Sequence, residues 1–143
     1  MKTTPSSRVI TLAGLCAAVL ALAPAAHADT IYPAEMTQAD LAGELFESPD
    51  TVVTKAEGRD ILDITSLLSS DGRFASGLYS AGTSRFEINE PYGVDEFMYF
   101  LEGGVTLTSS DGTVTTIEAG EAVTIPKEWT GVWETDGYRQ IWV

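Results

Sequence analysis

The chain has 143 residues and an acidic balance, 8 Lys+Arg against 21 Asp+Glu for a formal net charge of −13, with a single Cys and a single His. That charge repels nucleic acid and anionic lipid, and one Cys with one His cannot make a disulfide framework or a zinc-type ligand set. The length suits one domain with one core.

Lys2 and Arg8 precede an apolar stretch from Val9 to Ala23, followed by Pro24 and the small-residue site Ala26-His27-Ala28. This is the three-part layout of a secretory signal peptide, and the apolar run is too short for a good membrane span. Cleavage is expected before Asp29, giving an exported, periplasmic or secreted protein that has no membrane association afterwards. Cys16 follows Leu15 rather than a small residue, which argues against lipidation. Removing residues 1–28 leaves 143 − 28 = 115 residues without Cys or His, and 6 Lys+Arg against 21 Asp+Glu, or −15. A histidine base, a thiol nucleophile and imidazole ligands are then all excluded, and with them a serine triad.

Thr37-Gln-Ala-Asp-Leu-Ala-Gly-Glu-Leu-Phe46 reads as a short helix with Thr37 as N-cap and Asp40 in its first turn, stopped at Ser48-Pro49-Asp50. Thr51–Thr54 suggests a strand, and Asp60–Leu68 fits strand or helix. Turn signals then recur at Ser69–Gly72, Ala81-Gly82, Pro91–Gly93, Gly103-Gly104, Ser109–Gly112, Ala119-Gly120, Pro126 and Asp136-Gly137. Short strands at that spacing predict an antiparallel sandwich or barrel. Val105–Thr108 and Thr113–Ile117 predict a hairpin about Asp111-Gly112. The expected organisation is a signal peptide over 1–28, an N-terminal extension with the first strands over 29–72, and a barrel core over 73–143.

The central element is Asp95-Glu96-Phe97-Met98-Tyr99-Phe100-Leu101-Glu102, read as a strand. Its period of two places Glu96, Met98 and Phe100 on one face and Phe97, Tyr99 and Leu101 on the other. Both faces are apolar, so both are expected to be covered. Met98, Phe100, Val105 and Leu107 are expected to fill the barrel. Phe97, Tyr99 and Trp142 are candidates for an outer patch that would support a homodimer. Glu96 is the odd residue, a carboxylate at the mouth of an apolar face, and it needs a partner, a proton, a metal or water.

Glu96 with six residues to Gly103, and Gly120 with five residues to Pro126, resemble the two motifs of the cupin superfamily. With Leu101-Glu102-Gly103, Gly120-Glu121-Ala122, Ile125-Pro126 and Trp129-Thr-Gly-Val-Trp133-Glu134, the stretch from about Phe74 to Val143 is similar to the small single-domain branch named after the (S)-ureidoglycine aminohydrolase cupin domain. The resemblance implies an all-β fold, a double-stranded β-helix or jelly-roll barrel with a pocket at one mouth, here carrying a short N-terminal helix. It places the four metal-ligand positions at Glu90, Tyr92, Glu96 and Gly131, where the aminohydrolase family holds manganese with a Glu, two His and a Gln. Only Glu90 and Glu96 keep strong donors for Mn²⁺ or another hard divalent cation, so no metal is favoured.

Two readings of Glu96 stay open at this point. It is a general acid or base, or a hydrogen-bond acceptor for a ligand, with its pKa raised by desolvation; or it pairs with Arg85 or Arg139, or faces solvent. Trp129 and Trp133 follow Pro126 where the family places pocket walls, and Tyr92 lies in a loop able to offer its hydroxyl. The candidate ligand-binding set is Glu90, Tyr92, Glu96, Met98, Trp129 and Trp133, with Glu96 the candidate catalytic group. The functional expectation is an exported cupin with a degenerate metal site that binds a small molecule in the barrel mouth. The alternatives are an aminohydrolase-like or lyase-type enzyme using Glu96 as acid/base, with or without a carboxylate-bound metal, and an oligomerising protein with a filled barrel.

Overall fold

The computed structural model describes residues 32–56 and 59–143; the expected signal peptide, Cys16 and the cleavage point lie outside the described residues. The element order is a short helix α1 (Gln38–Ala42), a 3-10 turn (Glu44–Glu47), then seven strands: β1 (Val52–Ala56), β2 (Arg59–Leu68), β3 (Ala75–Ile88), β4 (Glu96–Ser109), β5 (Val114–Glu118), β6 (Ala122–Ile125) and β7 (Gly131–Trp142). All pairings are antiparallel, in the order β1-β2-β3-β7-β4-β5, and β6 joins β4.

The helix forms where its cap predicts. The Thr37 hydroxyl accepts from the Asp40 amide at 3.1 Å while the Asp40 carboxylate accepts from the Thr37 amide at 2.8 Å, satisfying donors that a helix start leaves unpaired. Gly43, at φ 123°, ends the helix and turns the chain into the 3-10 segment, which packs on β2. The Arg139 guanidinium, on β7, donates to the carbonyl of Ala42 at the end of α1 at 2.7 Å and to Glu102 Oε2 on β4 at 2.7 Å. The stretch that fits strand or helix from sequence is strand β2.

Three of the expected turns are not turns. Ala81-Gly82, Gly103-Gly104 and Asp136-Gly137 lie inside β3, β4 and β7. In register, Gly82 faces Gly137 and Gly137 faces Gly104, so the glycines form a row across the three longest strands. Gly103 and Gly137 have φ of 67° and 127°, and β4 and β7 slip register on either side of the row, between Phe100 and Glu102 and between Gly104 and Thr106. Bulges and glycines let a strand bend and pass from one sheet to another. On one side of the row β4 pairs with β6, through Glu96–Tyr99; on the other it pairs with β5, through Gly104–Thr108. The result is the two-layer, all-β jelly roll that the sequence predicts. The remaining turn signals sit between strands as expected, including Ser109–Gly112 in the β4–β5 hairpin.

The inner face of β4 follows the predicted alternation. Met98, Phe100, Val105 and Leu107 join Ile117, Ile125 and Trp133 in one buried cluster, with Phe100 fully enclosed. The outer face differs from expectation: Phe97 is 42% and Tyr99 38% exposed, so that face is not covered within this chain.

Candidate functional site

At the end of the jelly roll where β4 begins and β7 finishes, a cavity of ≈ 740 Å³ opens between the two layers. That volume falls in the range of small-molecule sites, and the barrel is therefore not packed solid. Its walls are largely aromatic, from Tyr79, Phe86, Tyr92, Trp133, Tyr138 and Trp142, with Met98 at the floor. Tyr138 stacks on Tyr79 with ring centroids 5.8 Å apart and meets Phe100 and Trp133 at 5.3 and 5.9 Å.

Besides the exposed Arg73 and Asp95, three less exposed polar side chains interrupt this wall. Glu96, the first residue of β4, accepts a 2.6 Å hydrogen bond from the Tyr92 hydroxyl. Asp63, from β2, accepts from the Trp142 indole N–H at 3.1 Å. Gln140, from β7, is only 3% exposed, and its Oε1 has no hydrogen-bond partner among the described residues. Burial raises the pKa of Glu96 above its ordinary value; the Tyr92 hydrogen bond works against this and the charge of Asp63 adds to it. Burial likewise raises the pKa of Asp63, partly offset by the Trp142 hydrogen bond. Desolvation, then the Glu96 carboxylate, pushes the Tyr92 hydroxyl far up, so it keeps its proton and remains a donor.

Tyr92 is held by its loop. Its amide donates to the Trp129 carbonyl at 3.1 Å, the Gly93 amide to the Lys127 carbonyl at 2.8 Å, and Asp95 Oδ1 accepts from the Lys127 amide at 3.0 Å. The β3–β4 and β6–β7 connections are thus laced together, and Tyr92 and Glu96 meet over a span of four residues.

The predicted residues divide. Tyr92, Glu96, Met98 and Trp133 come together in the cavity. Glu90 is exposed and outside the lining, and Trp129 turns away, its indole N–H donating to Ser109 Oγ at 3.1 Å against the core cluster. Trp142 is a cavity wall rather than part of an outer patch, because it pairs in register with Met98 on the inner face. Neither candidate arginine reaches Glu96: Arg85 pairs with Glu87 and Glu134, and Arg139 with Glu102. Asp63, Tyr79, Tyr138 and Gln140 were not anticipated. The alternation Tyr138, Gln140, Trp142 was the available signal, since a period of two puts a lone amide between two aromatics on one face.

The four positions at which the resemblance implies metal ligands do not converge here. Glu90 lies outside the cavity, the Tyr92 hydroxyl is bonded to Glu96, and any Cβ at Gly131 would collide with the Thr108 carbonyl and the Trp129 ring, so no ligating side chain fits there. Among the described residues no group of three or more His, Cys, Asp or Glu is placed to hold a metal ion. The donors present do not fit the manganese ion that the resemblance implies.

The bent strands, the two-layer sheet and the mouth cavity are consistent with a cupin jelly roll. Residues 68–138 match the family model described as the EutQ-like cupin domain, and the chain carries a cupin domain of that kind. Among solved structures it resembles a protein of unknown function from Rhizobium leguminosarum, at 23% identity over 78% of this chain and 95% of that one with a TM-score of 0.54. A putative ethanolamine utilization protein Q from Salmonella typhimurium is 17% identical over 66% of this chain and 93% of that one, with a TM-score of 0.51. A DUF861 family protein from Thermotoga maritima is 31% identical over 46% of this chain and 74% of that one, with a TM-score of 0.43. No curated protein matches the sequence.

Proposed function

We propose that this cupin domain binds a small molecule in the mouth of its barrel, without a resident metal, after export from the cytoplasm. The observation that carries the reading is the Tyr92–Glu96 pair, half-buried in an aromatic cavity and, among the described residues, unmatched by an arginine or lysine partner. An exposed carboxylate has no need of such a setting, and a purely structural one is ordinarily paired or replaced by an apolar residue. The leader pattern of residues 1–28 supports export. The exposed Phe97 and Tyr99 on the outer face of β4 support a homodimer.

A second reading is favoured by one observation. A carboxylate whose pKa is raised by burial, facing a cavity and oriented by a tyrosine, is the setting of a general acid or base. On that reading the protein is an aminohydrolase-like or lyase-type enzyme, with Glu96 moving the proton and Tyr92 positioning it.

The test is a thermal-shift survey of small metabolites with the purified protein and its Glu96→Gln variant, followed by calorimetry and product analysis of each hit. At least one compound is expected to raise the melting temperature of the parent, with the shift lost in a variant that still unfolds cooperatively. Equal shifts in both proteins would remove Glu96 from the site, and conversion of a hit would promote the enzyme reading.

A further inference from the structure

The hydrogen-bonding inventory of the cavity is lopsided. A carboxylate can accept about four hydrogen bonds and an amide oxygen two. Glu96 takes one from Tyr92, Asp63 takes one from Trp142, and Gln140 Oε1 takes none among the described residues. The donors nearest these acceptors are thereby committed: the Tyr92 hydroxyl and the Trp142 indole each have one proton and have placed it. The Tyr79 and Tyr138 hydroxyls can take either role, and the Gln140 amide nitrogen adds two N–H donors, still fewer than the open acceptor positions of two carboxylates and an amide oxygen. Among the described residues no lysine lines the cavity and one arginine does, Arg73, which is exposed; Asp95, also lining, is bonded to the Lys127 amide. Acceptor capacity in a desolvated place therefore exceeds donor supply, and an amide oxygen buried without a partner costs free energy until something donates to it.

The charges agree with the hydrogen bonds. Asp63 and Glu96 both line the cavity, and the charge of Asp63 disfavours ionisation of Glu96. The ring faces of Tyr79, Trp133, Tyr138 and Trp142 attract positive charge and repel negative charge. The chain's formal charge of −13 favours cations over anions near its surface.

We infer that the ligand is a small organic cation carrying N–H donors, an alkylammonium or guanidinium group, held by Glu96, Asp63 and Gln140 between aromatic walls. The inference rests on the reading of the barrel mouth as a small-molecule site and names the class of molecule that site takes.

The experiment compares matched four-carbon probes by calorimetry and by the fluorescence of the tryptophans: n-butylammonium, n-butyltrimethylammonium, 1-butanol and butyrate. Butylammonium is expected to bind about tenfold or more tightly than the other three, because only it brings both charge and N–H donors. Glu96→Gln and Asp63→Asn should each weaken it by about tenfold while keeping a cooperative melt. If a variant does not fold, the probe series on the parent protein decides alone. Binding of butanol or butyrate as tight as that of butylammonium would overturn the cation assignment and leave the small-molecule site standing. Equal binding of the trimethyl compound would overturn the requirement for N–H donors. Silence from all four probes, together with silence from the metabolite survey, would overturn both readings.

Discussion

Two hollows of similar size mark this domain, and only one has the makings of a site. The mouth cavity measures ≈ 740 Å³ and a groove across the glycine bend ≈ 870 Å³. The groove is lined by Thr106, Thr116, Gly103, Gly137 and the outward ends of Arg85 and Glu134, and its one guanidinium already pairs with Glu134 at 3.2 Å and Glu87 at 2.7 Å. The cavity holds two carboxylates and an amide among aromatic rings, with acceptors left over. Volume therefore says little about recognition. What distinguishes the cavity is polar capacity placed where water is scarce, so that a ligand of the right chemistry gains more than water offers. The groove is instead the outer trace of a backbone bend.

Three substitutions sharpen that contrast. The largest effect is expected in the groove, from Gly103→Ala. A Cβ there would meet the Gly137 carbonyl at a backbone φ of 67°, so both space and conformation oppose it. It should lower unfolding free energy by roughly 2–4 kcal/mol in denaturant titration. A loss below about 0.5 kcal/mol, the level of a neutral surface change, would mean the glycine row does not set the bend.

The next effect belongs to the cavity and depends on pH. Because burial raises the pKa of Glu96 above its ordinary value of 4.5, the folded state holds that proton more tightly than the unfolded chain does. Ionised Glu96 therefore subtracts stability above its folded pKa, and the subtraction disappears as pH falls below 4.5. Glu96→Gln, still able to accept from Tyr92, should raise the melting temperature at neutral pH and lose that advantage at low pH. A constant difference across the range would show that burial does not disfavour the charge. The smallest effect is expected from Arg85→Ala in the groove: its ion pairs are exposed and screened by solvent, so the melting temperature and ligand-induced thermal shifts should both be essentially unchanged. An altered ligand response would join the two hollows that the geometry separates.

Much of the fold was legible because period-two alternation and cap chemistry are local. Met98, Phe100, Val105 and Leu107 face inward as their spacing requires, and Thr37 with Asp40 starts the helix. The glycine pairs misled for a physical reason. Glycine removes the steric bar to positive φ in a turn and in a mid-strand bend alike, and only cross-strand register tells the two apart.

For the site, the residues on the predicted central strand and its preceding loop were readable, and Tyr92, Glu96 and Met98 meet where their spacing puts them. Asp63 and Gln140 were not, because β2 and β7 reach the cavity only through pairings between positions such as Asp63 with Tyr79 and Tyr79 with Gln140, far apart in the chain. Trp129 and Trp133 are four residues apart and both follow Pro126, and the loop position made Trp129 the better ligand candidate, yet it meets Ser109 while Trp133 meets the cavity. The sequence by itself determined an acidic, strand-rich chain with a carboxylate on an apolar face, since composition and alternation are properties of neighbours. Which acceptors face each other across the mouth was decided by tertiary structure, because strand register and the bend set those distances.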